Sequence, residues 1–283
     1  MRTVHTIQAL RSAVTEARGQ GLRVALVPTM GNLHEGHLAL IDEAKKHADF
    51  VVASIFVNPM QFGANEDLDA YPRTLEADSL ALAEHYCDLL FAPSVNEVYP
   101  NGLDHETRVE VPVLGDLHCG ASRPGHFVGV ATVVTKLFNM VQPDLAVFGE
   151  KDFQQLAIIR KMTQDLCLPI EIRGLATSRE ASGLARSSRN GYLSAAEKDK
   201  ASAIYQVLTQ CHDKLKKLSA DLETVRLEAI QTLEDNGFRV DYLNFAETKT
   251  LRPATAEDQH IVVLLAAFMG TTRLIDKIVI ARE

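Results

Sequence analysis

The chain has no basic excess, no paired cysteines and no long apolar run, and each absence removes a class of function. Its formal net charge is −8 at pH 7 with a sequence pI near 5.7. A protein that grips a long polyphosphate backbone normally carries the opposite sign, so nucleic acid is not expected as a partner. Any anion site must then be local, made of a few cations and backbone amides. The four cysteines, Cys87, Cys119, Cys167 and Cys211, stand far apart with no C-x-x-C pair. That pattern suits free thiols in a reducing cytoplasm better than a disulfide framework or a zinc site. The longest apolar run, residues 261–269, is too short to cross a bilayer, and no membrane partner is expected. Residues 1–10 hold one arginine but no apolar stretch, and do not read as a signal peptide. Internal repeats and low-complexity tracts are also lacking.

What is present is ordinary globular composition, 46% hydrophobic and 23% charged, at a length that allows one large or two modest domains. Short apolar runs ending in turn residues predict strands at 23–27, 50–57, 88–92, 145–148 and 170–173. Helical patterns lie between them at about 34–47, 75–86, 127–141 and 153–166. Strands alternating with helices predict a doubly wound parallel sheet, an α/β fold. Ligands of such sheets bind beyond the carboxyl ends of the strands, which directs attention to 28–37, 58–62 and 149–155. The pattern changes near residue 177. Residues 177–190 are polar and rich in serine and arginine. Two helices, about 195–218 and 222–234, and three strand-like runs, 239–245, 261–268 and 274–281, then predict a small α+β domain. The expected domains are 1–176 and 177–283.

His34-Glu35-Gly36-His37 lies where a strand gives way to a helix. Two imidazoles three residues apart share one side of a helix start, where backbone amides and the helix dipole favour an anion. The glycine lets phosphate approach the backbone, and imidazole can donate hydrogen bonds to charge that develops there. By itself the segment fits two surface histidines on a plain helix equally well. A zinc protease motif would need histidines at i and i+4, one residue further apart. Gly149-Glu150-Lys151-Asp152 also ends a strand and opens a helix. Lys151 suits phosphate as a point charge, and Asp152 suits a helix cap or a metal, although by itself the segment fits a solvated charged turn better. Arg186-Ser187-Ser188-Arg189-Asn190 has the makings of a flexible anion clamp, or of a mobile polar linker. Gln61 and Gln155, near two strand ends, can both donate and accept, which suits a hydroxy acid.

Together these segments resemble one family, the pantoate–β-alanine ligases. The matching stretches are Val27-Pro28-Thr29-Met30-Gly31-Asn32-Leu33-His34-Glu35-Gly36-His37, Ser54-Ile55-Phe56-Val57-Asn58-Pro59-Met60-Gln61-Phe62 and Tyr71-Pro72-Arg73-Thr74. Further along come Gly120-Ala121-Ser122-Arg123-Pro124-Gly125-His126-Phe127, Phe148-Gly149-Glu150-Lys151-Asp152-Phe153-Gln154-Gln155 and Ser187-Ser188-Arg189-Asn190-Gly191-Tyr192-Leu193. H-x-G-H alone is shared with class I aminoacyl-tRNA synthetases and adenylyltransferases; the whole set, in order over residues 20–195, is far more specific. The last third of the chain carries little motif.

The resemblance implies a Rossmann-like N-terminal domain, a smaller C-terminal α+β lid domain and a homodimer. It implies ATP and magnesium, with pantoate and β-alanine joined through a pantoyl-adenylate. It assigns ATP contacts to Met30, Gly31, Asn32, Leu33, His34, Glu35, Gly36 and His37, and to Gly149, Glu150, Lys151 and Asp152. Ser178, Arg186, Ser187, Ser188 and Arg189 complete the ATP set. His37 falls on the proton-donor position, with His34 and Lys151 beside it in the chemistry. Gln61 and Gln155 fall where pantoate is held, and Asn58 and His126 on lesser positions of the substrate pocket. Two residues depart from the family pattern: Ser182, where aspartate is frequent, and Arg186, where methionine or leucine is common. Three other activities remain in view. An adenylyltransferase would want more cations for a phosphorylated acceptor. A tRNA synthetase would want an RNA-binding segment. A nucleotide sensor would bind ATP without turnover.

Overall fold

The protein is described here from a computed structural model covering residues 1–63 and 66–283. In chain order the elements are β1 (Arg2–Val4), α1 (Ile7–Gly19), β2 (Val24–Thr29), α2 (Glu35–His47), β3 (Phe50–Ile55), α3 (Leu75–Glu84) and β4 (Leu89–Phe91). There follow α4 (Val95–Val98), α5 (Cys119–Ser122), α6 (His126–Val141), β5 (Leu145–Gly149), α7 (Phe153–Asp165) and β6 (Glu171–Leu175). The remainder is α8 (Ala195–Ala201), α9 (Ala203–Leu215), α10 (Leu222–Asp235), β7 (Arg239–Glu247), β8 (His260–Met269) and β9 (Thr272–Ala281). Single turns of 3₁₀ helix occur at Pro59–Gln61 and Ser188–Tyr192. The chain divides into two compact units. One holds residues 1–115, 123–150 and 155–176; the other holds 116–122, 151–154 and 177–283.

The first unit is a six-stranded sheet in the order β1-β4-β3-β2-β5-β6, parallel throughout. Strands covered on both faces must be apolar along their whole length, and Val24, Ala25, Leu26 and Val27 are all completely buried. One face carries Leu40, Ile41 and Ala44 of α2 and Leu82 of α3 in a single core with Ala25, Val27, Val51, Ala53, Leu90, Leu145 and Val147. The strand order reverses between β2 and β5, which makes their carboxyl ends the switch point where ligands of such sheets bind. Pairing between these two strands reaches only Leu26↔Ala146. Two residues later comes Pro28, with no N–H to offer a ladder, so the sheet opens where a crevice is needed. On the other side β2 pairs with β3 as far as Thr29↔Ile55. The segments following β2, β3 and β5 therefore leave the sheet as neighbours.

The second unit contains an antiparallel sheet in the order β7-β8-β9. Ile204, Val207, Leu208, Cys211 and Leu215 of α9 share its core with Val225, Ala229 and Leu233 of α10 and with Val263, Leu265 and Ala267 of β8.

Four elements were not expected from sequence: β1, α1 and the single-turn helices α4 and α5. β1 has three residues, only one of them buried, too few to show a period. α1 carries a regular apolar stripe at Leu10, Ala13, Val14 and Ala17 and a Thr6 cap on the Ala9 N–H. The single helix expected over 195–218 is two, α8 and α9, divided at Ser202. There the Ser202 hydroxyl donates to the Asp199 carbonyl and competes with the helical pattern. Among the described residues no helix is long and apolar enough to cross a membrane. The four thiols are free, three of them buried.

Candidate active site

The residues singled out from sequence fall into two groups, one in each unit. In the first, the loop after β2 turns through Gly31 and Asn32, both left-handed at φ 82° and 50°. A buried carboxylate explains why this turn is stable. Asp78 of α3 accepts from the Asn32 N–H at 2.9 Å, the Leu33 N–H at 2.8 Å and the Thr74 hydroxyl at 3.1 Å, and is only 3% exposed. A side chain at Gly31 would meet the Asp78 Oδ2 at 3.1 Å, so only glycine combines this φ with this approach. The sequence reading misses Asp78. Its signal was an acidic residue four before Leu82, on the buried stripe of α3.

Asp78 changes the expected source of phosphate donors. The Asn32 and Leu33 amides serve this carboxylate, and the Gly31 N–H is 3.2 Å from the Thr29 hydroxyl. The His37 and Leu38 amides bond the His34 carbonyl at 2.8 and 3.2 Å. These amides are thus engaged by Asp78 of α3 or within the loop itself. The two imidazoles are organised instead. His34 caps α2, with its Nδ1 accepting from the Gly36 N–H at 3.1 Å, while His37 Nδ1 accepts from the His34 N–H at 3.4 Å. The rings stack with centroids 4.0 Å apart and 25° between planes. An Nδ1 that accepts leaves the proton of a neutral imidazole on Nε2. Both rings are therefore set as Nε2–H donors by bonds to their own backbone.

The next group follows β3. Asn58 is 1% exposed and the full hydrogen-bonding capacity of its side-chain amide is engaged. Its Oδ1 accepts from the Tyr99 hydroxyl at 2.7 Å and the Met60 N–H at 3.3 Å. Its Nδ2 donates to the Gly129 carbonyl and to the Gln61 Oε1, each at 3.1 Å. The turn at 59–61 lies so close to α6 that a Cβ on Gly129 would stand 2.4 Å from the Met60 carbonyl oxygen. The Gln61 Nε2 points to the Met30 sulfur at 3.2 Å, which links this turn to the loop after β2. His126 accepts from the Arg123 guanidinium at Nε2, at 3.0 Å, so its Nδ1–H donates to the Gln61 carbonyl at 2.8 Å. Both ring nitrogens therefore support the Gln61 backbone. Arg123 also makes a two-pronged pair with Glu66 at 2.6 and 2.5 Å. Burial pushes the Glu66 carboxyl up, but the arginine outweighs it and holds the group below its ordinary value.

Gly149 ends β5, and the Glu150 N–H extends the ladder to the Leu175 carbonyl at 2.8 Å. Gln155 is half-buried near the start of α7.

In the second unit Lys151 Nζ donates to the Arg186 carbonyl at 3.3 Å and lies 3.9 Å from Asp152. Gln154, beside Gln155 in sequence, is bound at both amide ends, to the Leu117 carbonyl at 2.7 Å and the Cys119 N–H at 3.1 Å. The polar stretch after residue 177 is a folded hairpin with a bridge between Arg179 and Ala185. Arg179 forms a bidentate pair with the buried Asp276 at 2.6 and 3.0 Å and lies 3.8 Å over the Tyr205 ring. Ser178 accepts the Arg186 N–H at 2.9 Å. Ser182, one of the two departures, accepts the Leu184 N–H at 3.4 Å, a turn bond of the kind an aspartate also makes. The Ser187 hydroxyl oxygen caps the turn Ser188–Tyr192 by accepting from Arg189 N–H at 3.2 Å, which leaves its own O–H as a donor.

Known proteins bear the same pattern. A family model described as Pantoate-beta-alanine ligase matches residues 2–279. The pantothenate synthetase of Pseudomonas fluorescens (strain Pf0-1) is 59% identical over 278 residues, covering 98% of this chain and 97% of its own. A crystal structure of pantothenate synthetase from Thermus thermophilus superposes with a TM-score of 0.91 at 45% identity, covering 98% of this chain and 99% of that one. A pantoate-beta-alanine ligase from Francisella tularensis, complexed with beta-gamma ATP and beta-alanine, gives a TM-score of 0.83 at 34% identity, covering 98% and 97%.

Proposed function

The chain belongs to the pantoate–β-alanine ligase family, which condenses pantoate and β-alanine with conversion of ATP to AMP and pyrophosphate, and from that premise we propose how its own residues carry the reaction. A carboxylate is a poor acylating agent because attack on it would have to expel oxide. Attack by a pantoate carboxylate oxygen on the α-phosphorus of ATP instead expels pyrophosphate and leaves a pantoyl-adenylate. The neutral amine of β-alanine then attacks the acyl carbon, AMP departs with the bridging oxygen, and the amine loses a proton. In the first step negative charge grows on the oxygens of the departing pyrophosphate. His34 and His37 meet it with Nε2–H donors, and His37 is the proton donor. Lys151, Arg189 and the hydroxyls of Ser187 and Ser188 hold the phosphates, with Arg186, Ser178 and residues 149–152 completing the nucleotide set. One preorganised donor of this kind is typically worth about 3–4 kcal/mol of transition-state stabilisation.

Gln61 and Gln155 hold pantoate. In this reading Asn58 and His126 act by fixing Gln61, since their polar atoms are engaged with it and its neighbours. Magnesium, when bound with ATP, would neutralise phosphate charge. Among the described residues no cluster of three His, Cys, Asp or Glu side chains is arranged as a metal site, so the donor set suits an ion carried mainly by phosphate oxygens. A homodimer in the cytoplasm belongs to the same reading. Burial pushes the Cys87 and Cys211 thiols up to about 11, which suits inert thiols in a reducing compartment.

The observation that carries the assignment of roles is the stacked His34–His37 pair, each ring oriented by its own backbone at the sheet's switch point. Pyrophosphate release from ATP and pantoate, with and without β-alanine, tests it on the wild type and on His37→Ala. The variant keeps its fold by circular dichroism and loses about 10²-fold or more in rate. Wild-type turnover in the variant would remove His37 from the chemistry.

A further inference from the structure

We propose that Tyr99 is a positioning residue for the acid substrate: its buried hydroxyl holds Asn58, and Asn58 holds the Gln61 amide with Nε2 forward as the donor. The proposal rests on the reading of Gln61 as a pantoate-binding residue and adds the part that orients it.

A glutamine amide has a donor end and an acceptor end, and a site gains selectivity only when the protein decides which is presented. Here the choice is made outside the substrate pocket. The Gln61 Oε1 is taken by Asn58 Nδ2, so the Nε2 end is the one directed at Met30, the first residue of the loop after β2. Asn58 is turned for that bond by its Nδ2 contact with the Gly129 carbonyl and by the donors that hold its own Oδ1 on the opposite side. Two donors hold it, the Met60 N–H at 3.3 Å and the Tyr99 hydroxyl at 2.7 Å, and the phenol makes the shorter bond. Tyr99 lies 41 positions from Asn58 in sequence and is 2% exposed, so no solvent replaces that bond. Burial and the negative charge of Glu106 push the phenol well above its ordinary value, which keeps Tyr99 a protonated donor at every working pH. Its ring is fixed independently. Lys136 Nζ, paired with Glu106 at 2.6 Å, lies 4.7 Å from the ring centroid, and Phe56 packs at 6.0 Å. A phenyl ring would keep these contacts, and the Asn58 Oδ1 would still have the Met60 N–H. Tyr99→Phe therefore removes one bond of the relay and leaves no buried acceptor without a partner, so the fold is retained.

Steady-state kinetics on Tyr99→Phe, Gln61→Ala and the double variant test the relay, with melting temperatures alongside. Loss of one buried hydrogen bond is expected to raise the KM for pantoate by about three- to tenfold in Tyr99→Phe. The KM for ATP and the melting temperature stay close to wild type. In the Gln61→Ala background the same change adds nothing, because the group it orients is gone. If Gln61→Ala raises the pantoate KM and Tyr99→Phe does not, the relay is wrong and the Gln61 assignment stands. Additive effects in the double variant, or equal rises in both Michaelis constants with a lowered melting temperature, overturn it as well. A neutral Gln61→Ala removes the underlying reading and the proposal with it.

Discussion

Replacing Asp78 by asparagine perturbs the loop after β2 with almost no change of volume. The carboxylate serves three donors at 2.8–3.1 Å, two of them backbone amides. An asparagine supplies one oxygen. Its NH₂ must then face the Asn32 N–H, the Leu33 N–H or the Thr74 hydroxyl. Orphaning a buried amide costs about 1–3 kcal/mol, and losing the charge assistance of the remaining bonds brings the total to roughly 2–4 kcal/mol. For a unit of this size that is a fall in melting temperature of about 5–15 °C. The kinetic effect follows from position, because the two imidazoles begin one residue after Leu33. A misplacement near 1 Å typically costs about 10²-fold, so kcat/KM for ATP in pyrophosphate release should drop by that order. Thr74→Val is the control: it removes one side-chain bond, leaves both amides served, and should keep activity within about threefold. Differential scanning calorimetry and initial rates decide the matter. An Asp78→Asn protein with wild-type melting and wild-type kcat/KM would show that the carboxylate does not shape the loop.

Other outcomes follow from the same contacts. Gln155→Ala should raise the KM for pantoate by about fivefold or more while leaving that for ATP nearly unchanged; equal rises would make it a nucleotide residue. Arg282, 4% exposed, donates to the carbonyls of Leu215, Leu218, Thr255, Ala256 and Asp258, so Arg282→Ala should destabilise the second unit by at least about 3 kcal/mol, read by urea unfolding. Hydrogen exchange with a non-hydrolysable ATP analogue should slow at residues 186–189 and change little at 179–185, where Arg179 is pinned to Asp276. Uniform protection with and without the analogue would remove the clamp.

Local signals made much of this protein legible from sequence. Almost wholly apolar runs such as 50–55 announce strands buried on both faces, and the turn chemistry after them marks the ligand edge of the sheet. His34 and His37 were legible because a helix start fixes their relation over three residues. What escaped were contacts across long sequence distances. Asp78 acts on residues 45 and 46 positions away, and its spacing from Leu82 on α3 says only that it faces inward, not what it binds. Tyr99 and Arg123 reach Asn58 and Gln61 over 41 and 62 positions. The hairpin at 179–185 was not legible in the polar composition of 177–190, because its anchor, Asp276, lies on β9, nearly a hundred residues on. The acceptors that engage several amides of the loop after β2, Asp78 above all, are likewise invisible in the motif.

The central claim is that the pantoate carboxylate attacks the α-phosphorus of ATP. Turnover with pantoate labelled with ¹⁸O in both carboxylate oxygens, followed by mass spectrometry of the nucleotide product, tests it directly. Attack at the α-phosphorus followed by acyl transfer to β-alanine places one labelled oxygen in AMP and leaves one in the amide product. Unlabelled AMP, with the label in orthophosphate or retained in full by the acid, would contradict the account.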